Sequence, residues 1–124
     1  HLRLIIERYE QDQAATASRK IIPIIHGAPD VLPALSAEVA RISGVEMLAV
    51  PERRLGNGVF ERARTVAAIR QSLNACGRYV GLHLLGTGNP ISIAIYSITG
   101  ADSFDGLEWC QTLKNCWNCL RSCC

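Results

Sequence analysis

Residues 79–90 run Tyr79-Val80-Gly81-Leu82-His83-Leu84-Leu85-Gly86-Thr87-Gly88-Asn89-Pro90. The first seven form a short, mostly apolar run, and the glycines that follow bound it as a strand. Asn89 supplies a side-chain acceptor for the first free amides of a helix, and Pro90 pre-sets the backbone angle of its first residue. A strand passing through a glycine turn straight into a helix is a βα unit. Downstream, Ile91, Ile95 and Ile98 form a one-sided stripe, and Thr99-Gly100 ends the helix. Asp102-Ser103-Phe104-Asp105-Gly106-Leu107-Glu108-Trp109 then reads as a shorter strand.

The same unit recurs upstream. Lys20-Ile21-Ile22-Pro23-Ile24-Ile25-His26, closed by Gly27, is a β-branched run of the kind buried in parallel sheets, although Pro23 removes one ladder hydrogen bond. Asp30 is placed to cap a helix carrying Val31, Leu32, Leu35, Val39 and Ile42 on one stripe, which ends near Ser43-Gly44. Val45 to Val50 forms another strand, stopped by Pro51. The loop from Pro51 to Gly58 leads into a helix over about Val59 to Asn74, with Phe60, Ala63, Ala67 and Leu73 as its apolar stripe. Residues 2–17 open with Leu2, Ile5, Ile6 and Tyr9 at helical spacing.

The resulting order, α-β-α-β-α-β-α-β, predicts an α/β fold with a parallel sheet and right-handed crossovers. It fits either a small open sandwich or half of a TIM-type (β/α)8 barrel of about 250 residues. In both, the loops after the strands form the ligand face. Those loops hold His26-Gly27, Pro51 to Gly56, Gly86-Thr87-Gly88 and Asp105.

Composition bounds the rest. The 124 residues suit one domain, and 48% hydrophobic content suits a packed core. No uncharged apolar run reaches the ~20 residues of a membrane span, and the first residues do not form a signal peptide. The chain opens in mid-pattern on His1, as a piece of something longer would. Thirteen Lys and Arg stand against eleven Asp and Glu, so no domain-wide field for nucleic acid follows. Arg53-Arg54, with Arg62 and Arg64, reads as solvated surface charge. Cys76 stands alone, whereas Cys110, Cys116, Cys119, Cys123 and Cys124 crowd the last fifteen residues. That distribution excludes a secreted disulfide scaffold and makes the cytoplasm the expected compartment. The composition shift divides the chain into a catalytic domain over 1–112 and a Cys-rich tail over 113–124.

Few residues offer chemistry. Asp102 and Asp105 lie three apart about a strand, so they point to opposite faces and do not form an acid/base dyad. One is free to meet a ligand while the other caps or pairs. The turn from Gly86 to Pro90 places backbone amides at a helix N-terminus, where an anion or a base edge can meet them, but it is neither a Walker loop nor a dinucleotide fingerprint. His26 and His83 lack metal-ligand spacing. Ser103 has no nucleophile elbow and no evident histidine partner in sequence. Cys116, Cys119 and Cys123 have the close thiolate spacing of a zinc site, without a second ligand pair; a tail without structure is the other reading.

From about residue 19 to 112 the chain resembles the catalytic barrel of the tRNA-guanine transglycosylase family. Leu84-Leu85-Gly86-Thr87-Gly88-Asn89-Pro90 is similar to that family's MGVGxP segment. Ala101-Asp102-Ser103-Phe104-Asp105 follows at similar spacing, where the family carries G-V-D-M-F-D. Ile24-Ile25-His26-Gly27 and Leu48 to Gly56 resemble its V-Q-G-G strand end and its G-G-L-A-V-G loop. The resemblance implies a barrel enzyme that exchanges guanine in a polynucleotide for a 7-deazaguanine base, with no cofactor. Asp105 would be the nucleophile, and His26, Gly27, Leu85 and Gly86 would line the base. Pro51-Glu52 stands where the family has Gly-Gly, and Trp109-Cys110-Gln111 where tRNA-modifying members carry Pro-Thr-Arg. The tail does not reproduce the family's zinc pattern. These departures point towards a branch similar to the paralogues that insert deazaguanine into DNA.

The family's second catalytic Asp belongs to the barrel half this chain lacks. The resemblance therefore implies an isolated chain that is inactive and that pairs with the missing half or with a second copy. Two other readings stay open: a noncatalytic α/β module holding a phosphate or base at the Gly86–Pro90 turn, and a half-barrel without a function of its own.

Overall fold

The computed structural model describes residues 2–15 and 20–106. Its elements run α1 (Leu2–Ala15), α2 (Leu32–Ser43), β1 (Met47–Pro51), a 3-10 turn (Glu52–Arg54), α3 (Gly58–Asn74), β2 (Gly81–Leu85), α4 (Pro90–Thr99) and β3 (Ser103–Asp105). The three strands are parallel and lie in the order β1-β2-β3. From α2 onward the alternation expected from the sequence is present, in a small mixed α/β fold.

The first expected strand is reduced to a single bridge. Ile24 pairs in parallel with Ala49, through Ile25 N–H to Ala49 O at 2.8 Å and Ala49 N–H to Pro23 O at 2.9 Å. Pro23 contributes only its carbonyl, as its missing amide requires, and it sits at the sheet edge where proline is tolerated. Exposure still alternates along this segment: Pro23 and Ile25 are buried, whereas Ile22, Ile24 and His26 are exposed. The chain there follows the pleat of β1 beyond the one bridge.

Each crossover helix advances the chain by one strand in the same direction. α2 packs on α3 and α3 on α4, so these helices form one layer. Beneath it, Leu48, Val50, Leu82 and Leu84 are fully buried, in a core completed by Ile25, Leu32, Val39, Val66, Ile69, Leu73 and Tyr96. The opposite face carries Ile22 and Ile24, 43% and 48% exposed, with half-buried Met47, His83, Leu85 and Ser103. A groove of about 610 Å³ opens between α1 and the N-terminal strand ends, lined in part by Tyr9, Lys20, Ile22, Met47 and Gly81.

Three helix stripes differ from expectation. In α2, Val31 and Ile42 are exposed, while Leu32, Ser36, Val39 and Ala40 are buried. In α3, Phe60 is 76% exposed and Ala67 is exposed, and the packed face is Ala63, Val66, Ile69 and Leu73. In α4, Ile91 and Ile98 are exposed and only Tyr96 is buried. A helix with apolar residues around most of its circumference offers several stripes, and the sheet selects the one its register permits. Asp30 gives α2 no cap either; Val31 occupies that position and no side-chain cap bond forms.

The helix ends otherwise follow the sequence. Gly44 (φ 65°) and Gly100 (φ 115°) take the left-handed conformation after α2 and α4. Asn89 Oδ1 accepts from Ile91 N–H at 2.9 Å and from Ser92 N–H at 3.4 Å, ahead of Pro90. No helix among the described residues is long and apolar enough to cross a membrane. The tail over 113–124, with Cys116, Cys119 and Cys123, lies outside the described residues, as do Leu107–Trp109 of the expected last strand.

Arg70 joins several of these elements. From α3 its Nε donates to Gly100 O and its Nη1 to Val80 O, both at 2.8 Å, and its Nη2 pairs with Asp102. Its guanidinium also lies 5.0 Å from the Tyr79 ring centre. The Arg70 side chain is only 12% exposed, so its removal takes a donor from the Gly100 and Val80 carbonyls and the countercharge from Asp102. Arg70→Ala is expected to cost about 2–4 kcal/mol, read as a lower urea midpoint at unchanged slope. An unmoved midpoint would show that the strand entrances are held by something else.

Candidate functional site

Parallel register decides which side chains meet. His83 is level with Ser103, and Leu85 with Asp105; on the other side Ala49 is level with His83, and Pro51 with Leu85. The Ile24–Ala49 bridge stays isolated, and Pro51 has no amide with which to extend the ladder towards His26. On the sheet face opposite the α2–α4 layer, the C-terminal rim therefore carries the row Pro51, Leu85 and Asp105, with Ala49, His83 and Ser103 one row below.

Asp105 is 58% exposed, and its Oδ1 accepts from Gly86 N–H at 2.6 Å. Two residues that the sequence singled out are thus in direct contact. Gly86 has φ +81°, which turns its amide back towards β3 at no steric cost to a residue without Cβ. Gly106 completes the junction, because a Cβ there would lie 2.5 Å from Gly88 N and 2.6 Å from the Thr87 carbonyl carbon. The glycine turn and the end of β3 are packed backbone on backbone.

Asp102 takes the other role expected of the pair. Its carboxylate receives Arg70, the Tyr79 hydroxyl and Leu82 N–H, the last at 2.7 Å. It sits at the strand entrances, away from the rim, and ties β3 to β2. The Tyr79 hydroxyl is held above its ordinary pKa, first by the hydrogen bond it donates to Asp102.

The structure corrects the sequence reading of Ser103. Its Oγ lies 2.7 Å from His83 Nδ1, so it does have a histidine partner, twenty residues earlier on the neighbouring strand. The other ring nitrogen, His83 Nε2, lies 4.0 Å from Asp105 Oδ2. Chain spacing gave no sign of this. The signal is cross-strand register, which a single sequence encodes only through the whole βαβ unit.

His26 is exposed, two residues beyond the single bridge of its segment. Gly27 is half-buried, and a Cβ there would touch the Leu32 side chain at an ordinary 3.5 Å, so no steric reason requires glycine. Three amides of the Gly86–Pro90 region that an anion would use are already engaged: Gly86 N–H by Asp105, and Ile91 and Ser92 N–H by Asn89. No group of three or more His, Cys, Asp or Glu among the described residues is placed to hold a metal.

The loop after β1 is braced from below. Glu52 Oε1 accepts from the Tyr96 hydroxyl at 3.0 Å and from Arg62 Nη1 at 2.9 Å, while Arg62 Nε donates to Gly56 O at 3.0 Å. Arg62 is therefore a structural residue and not free surface charge. Arg53 and Arg54 remain exposed. Burial, followed by the Glu52 carboxylate, pushes the Tyr96 hydroxyl above its usual range.

No protein-family model, curated protein or solved structure matches this chain.

Two outcomes follow for the rim. Gly106→Ala forces its Cβ onto the backbone of Thr87 and Gly88, and an amide-exchange measurement should show Gly86 and its neighbours losing protection. Unchanged protection would mean the junction yields without loosening. The raised pKa of Tyr96 means the fold favours its neutral form. The stability this gives is intact below the unfolded tyrosine value of about 10 and is lost as pH rises through the folded value. A thermal midpoint steady to about pH 9.5 and falling above it is expected, with a shallower fall in Tyr96→Phe. Equal slopes for the two proteins would remove Tyr96 from the alkaline transition.

Proposed function

We propose that this chain forms consecutive βα units of a (β/α)8 barrel wall, and that its rim exchanges guanine in a polynucleotide for a 7-deazaguanine base. The observation that carries the proposal is the setting of Asp105. It is an exposed carboxylate at the C-terminal end of a parallel strand, on the face opposite the α2–α4 layer, with one oxygen held by the Gly86 amide at 2.6 Å. The consecutive parallel strand order with the crossover helices in one layer is what a barrel segment requires, and the resemblance of residues 84–90 and 101–105 supplies the reaction class.

On this reading Asp105 Oδ2 attacks the ribosyl C1′. The C1′–N9 bond breaks, its electron pair leaves with guanine, and an ester joins Asp105 to the sugar. The incoming 7-deazaguanine then takes C1′ and returns the carboxylate. Two displacements replace one difficult step. The Gly86 amide holds Oδ1, which leaves Oδ2 free to react. Leu85 offers an apolar side chain on the same rim, and His26, with Gly27, takes the place of the residue that reads the base edge. The reaction uses no cofactor. The polymer is DNA or tRNA, and the free thiol of Cys76 suits a reducing cytoplasm.

The remaining units complete the barrel from another chain segment or a second copy. They cover the open face and satisfy the raw strand edges. They also supply the general acid/base. The isolated 124 residues should then incorporate no labelled guanine into tRNA or DNA, whereas the chain assembled with its missing half should. Asp105→Asn in that assembly should reduce incorporation at least ~10³-fold while guanine still binds. Exchange that survives Asp105→Asn would overturn the assignment, and exchange by the isolated chain would overturn the divided barrel.

A further inference from the structure

Ser103, His83 and Asp105 lie on one face of adjacent strands, linked in that order by contacts of 2.7 Å and 4.0 Å. We infer that the Ser103 hydroxyl fixes the His83 tautomer, so that Nε2–H faces the free oxygen of Asp105 and positions it for attack. The inference deepens the base-exchange reading and rests on Asp105 being the nucleophile.

The argument starts from the two carboxylate oxygens. Oδ1 is held by Gly86 N–H at 2.6 Å, and Oδ2 is the oxygen His83 faces. A neutral imidazole presents either a lone pair or an N–H at Nε2. A lone pair facing a carboxylate oxygen is repulsive, whereas an N–H is attractive, so the Nε2–H tautomer is favoured. Nδ1 must then accept, and the hydroxyl 2.7 Å away is the donor that suits it. Serine can donate there because its hydroxyl rotates freely.

Burial distributes the roles. The His83 side chain is 18% exposed and the Asp105 side chain 58%. The imidazole is therefore held within the sheet face, between Ala49 and Ser103 in the strand register, while the carboxylate it faces stays open to a substrate. At 4.0 Å the Nε2–Oδ2 contact is longer than a hydrogen bond, and such contacts commonly tighten when substrate binds. At 4.0 Å His83 makes no hydrogen bond to Oδ2 in this structure, and it would meet neither the sugar nor the base. It is a positioning residue, acting through Asp105.

Nitrogen-detected NMR of the 124-residue chain at about pH 8, above the ordinary histidine range, reads the tautomer directly. We expect His83 with a protonated Nε2 and a bare Nδ1, a mixed tautomer in Ser103→Ala, and a shifted Nε2 resonance in Asp105→Asn. An Nδ1–H ring, or one indifferent to both substitutions, overturns the inference. In the assembled enzyme, His83→Ala should lower kcat by about 10–100-fold with KM for the polynucleotide unchanged. His83→Gln, which can present an N–H near the Nε2 position, should restore most of it. Exchange by the wild type that is unaffected by His83→Ala removes the positioning role alone. A wild type that shows the expected tautomer but no exchange removes the base-exchange reading, and with it the role of His83 in attack.

Discussion

The contact between Asp102 and its three donors fixes where everything else at the rim falls. Arg70 brings positive charge from α3 to the strand entrances, and Leu82 N–H and the Tyr79 hydroxyl complete the shell around the carboxylate. With Asp102 pinned beside Leu82, the next residue of β3 is set against His83 and the one two beyond against Leu85. Side chains in a strand alternate, so a slip of one residue would turn Ser103 and Asp105 away from the open face and present Phe104 in their place. A charge pair at one end of the sheet thus determines which chemistry stands at the other. The two aspartates, three apart in sequence, divide the work: one fixes register, and the other is left exposed.

The faces of the sheet are as unlike as its ends. Under the helices, Leu48, Val50, Leu82 and Leu84 lie in a dry core, where each buried aliphatic side chain contributes about 1.5–3 kcal/mol. On the other face, which also carries His83 and Ser103, Ile22 and Ile24 stand nearly half exposed. Burying β-branched side chains is what stabilises a strand, so leaving two of them in water is an expense that a covered face would remove. The same holds for α4, where Ile91 and Ile98 are 71% and 87% exposed. Apolar surface is therefore left on both layers.

Local chemistry was the legible part of the sequence. The αβ order, the glycine that closes α2, the Asn89-Pro90 helix start and the opposite faces of Asp102 and Asp105 each depend on residues within a turn of one another, and a single chain displays them. What was not legible depends on distance. Phe60 and Ile98 match helical spacing as well as Val66 or Tyr96 does, and only the sheet's position decides which stripe is buried. His83 and Ser103 are twenty residues apart, and their meeting requires β2, α4 and β3 to be assembled in one register. The Pro23 segment falls between these cases: its composition marks a strand, but its missing amide leaves one bridge to β1.

The rim is held by polar contacts, and this bears on how it works. Gly86 fixes one oxygen of Asp105, the Glu52–Arg62–Tyr96 cluster braces the loop after β1, and Gly106 packs backbone to backbone against Thr87 and Gly88. Each is short-ranged and directional, so the rim keeps its shape without an apolar core beneath every residue. On the base-exchange proposal, the carboxylate of Asp105 needs that arrangement. Buried in an apolar site it would lose its charge, and on a free loop it would pay orientational entropy at each encounter. The Gly86 amide fixes Oδ1 from the backbone while the Asp105 side chain stays 58% exposed. The single glycine at 86 therefore serves two purposes: its positive φ makes the turn, and the turn aims its amide at the carboxylate.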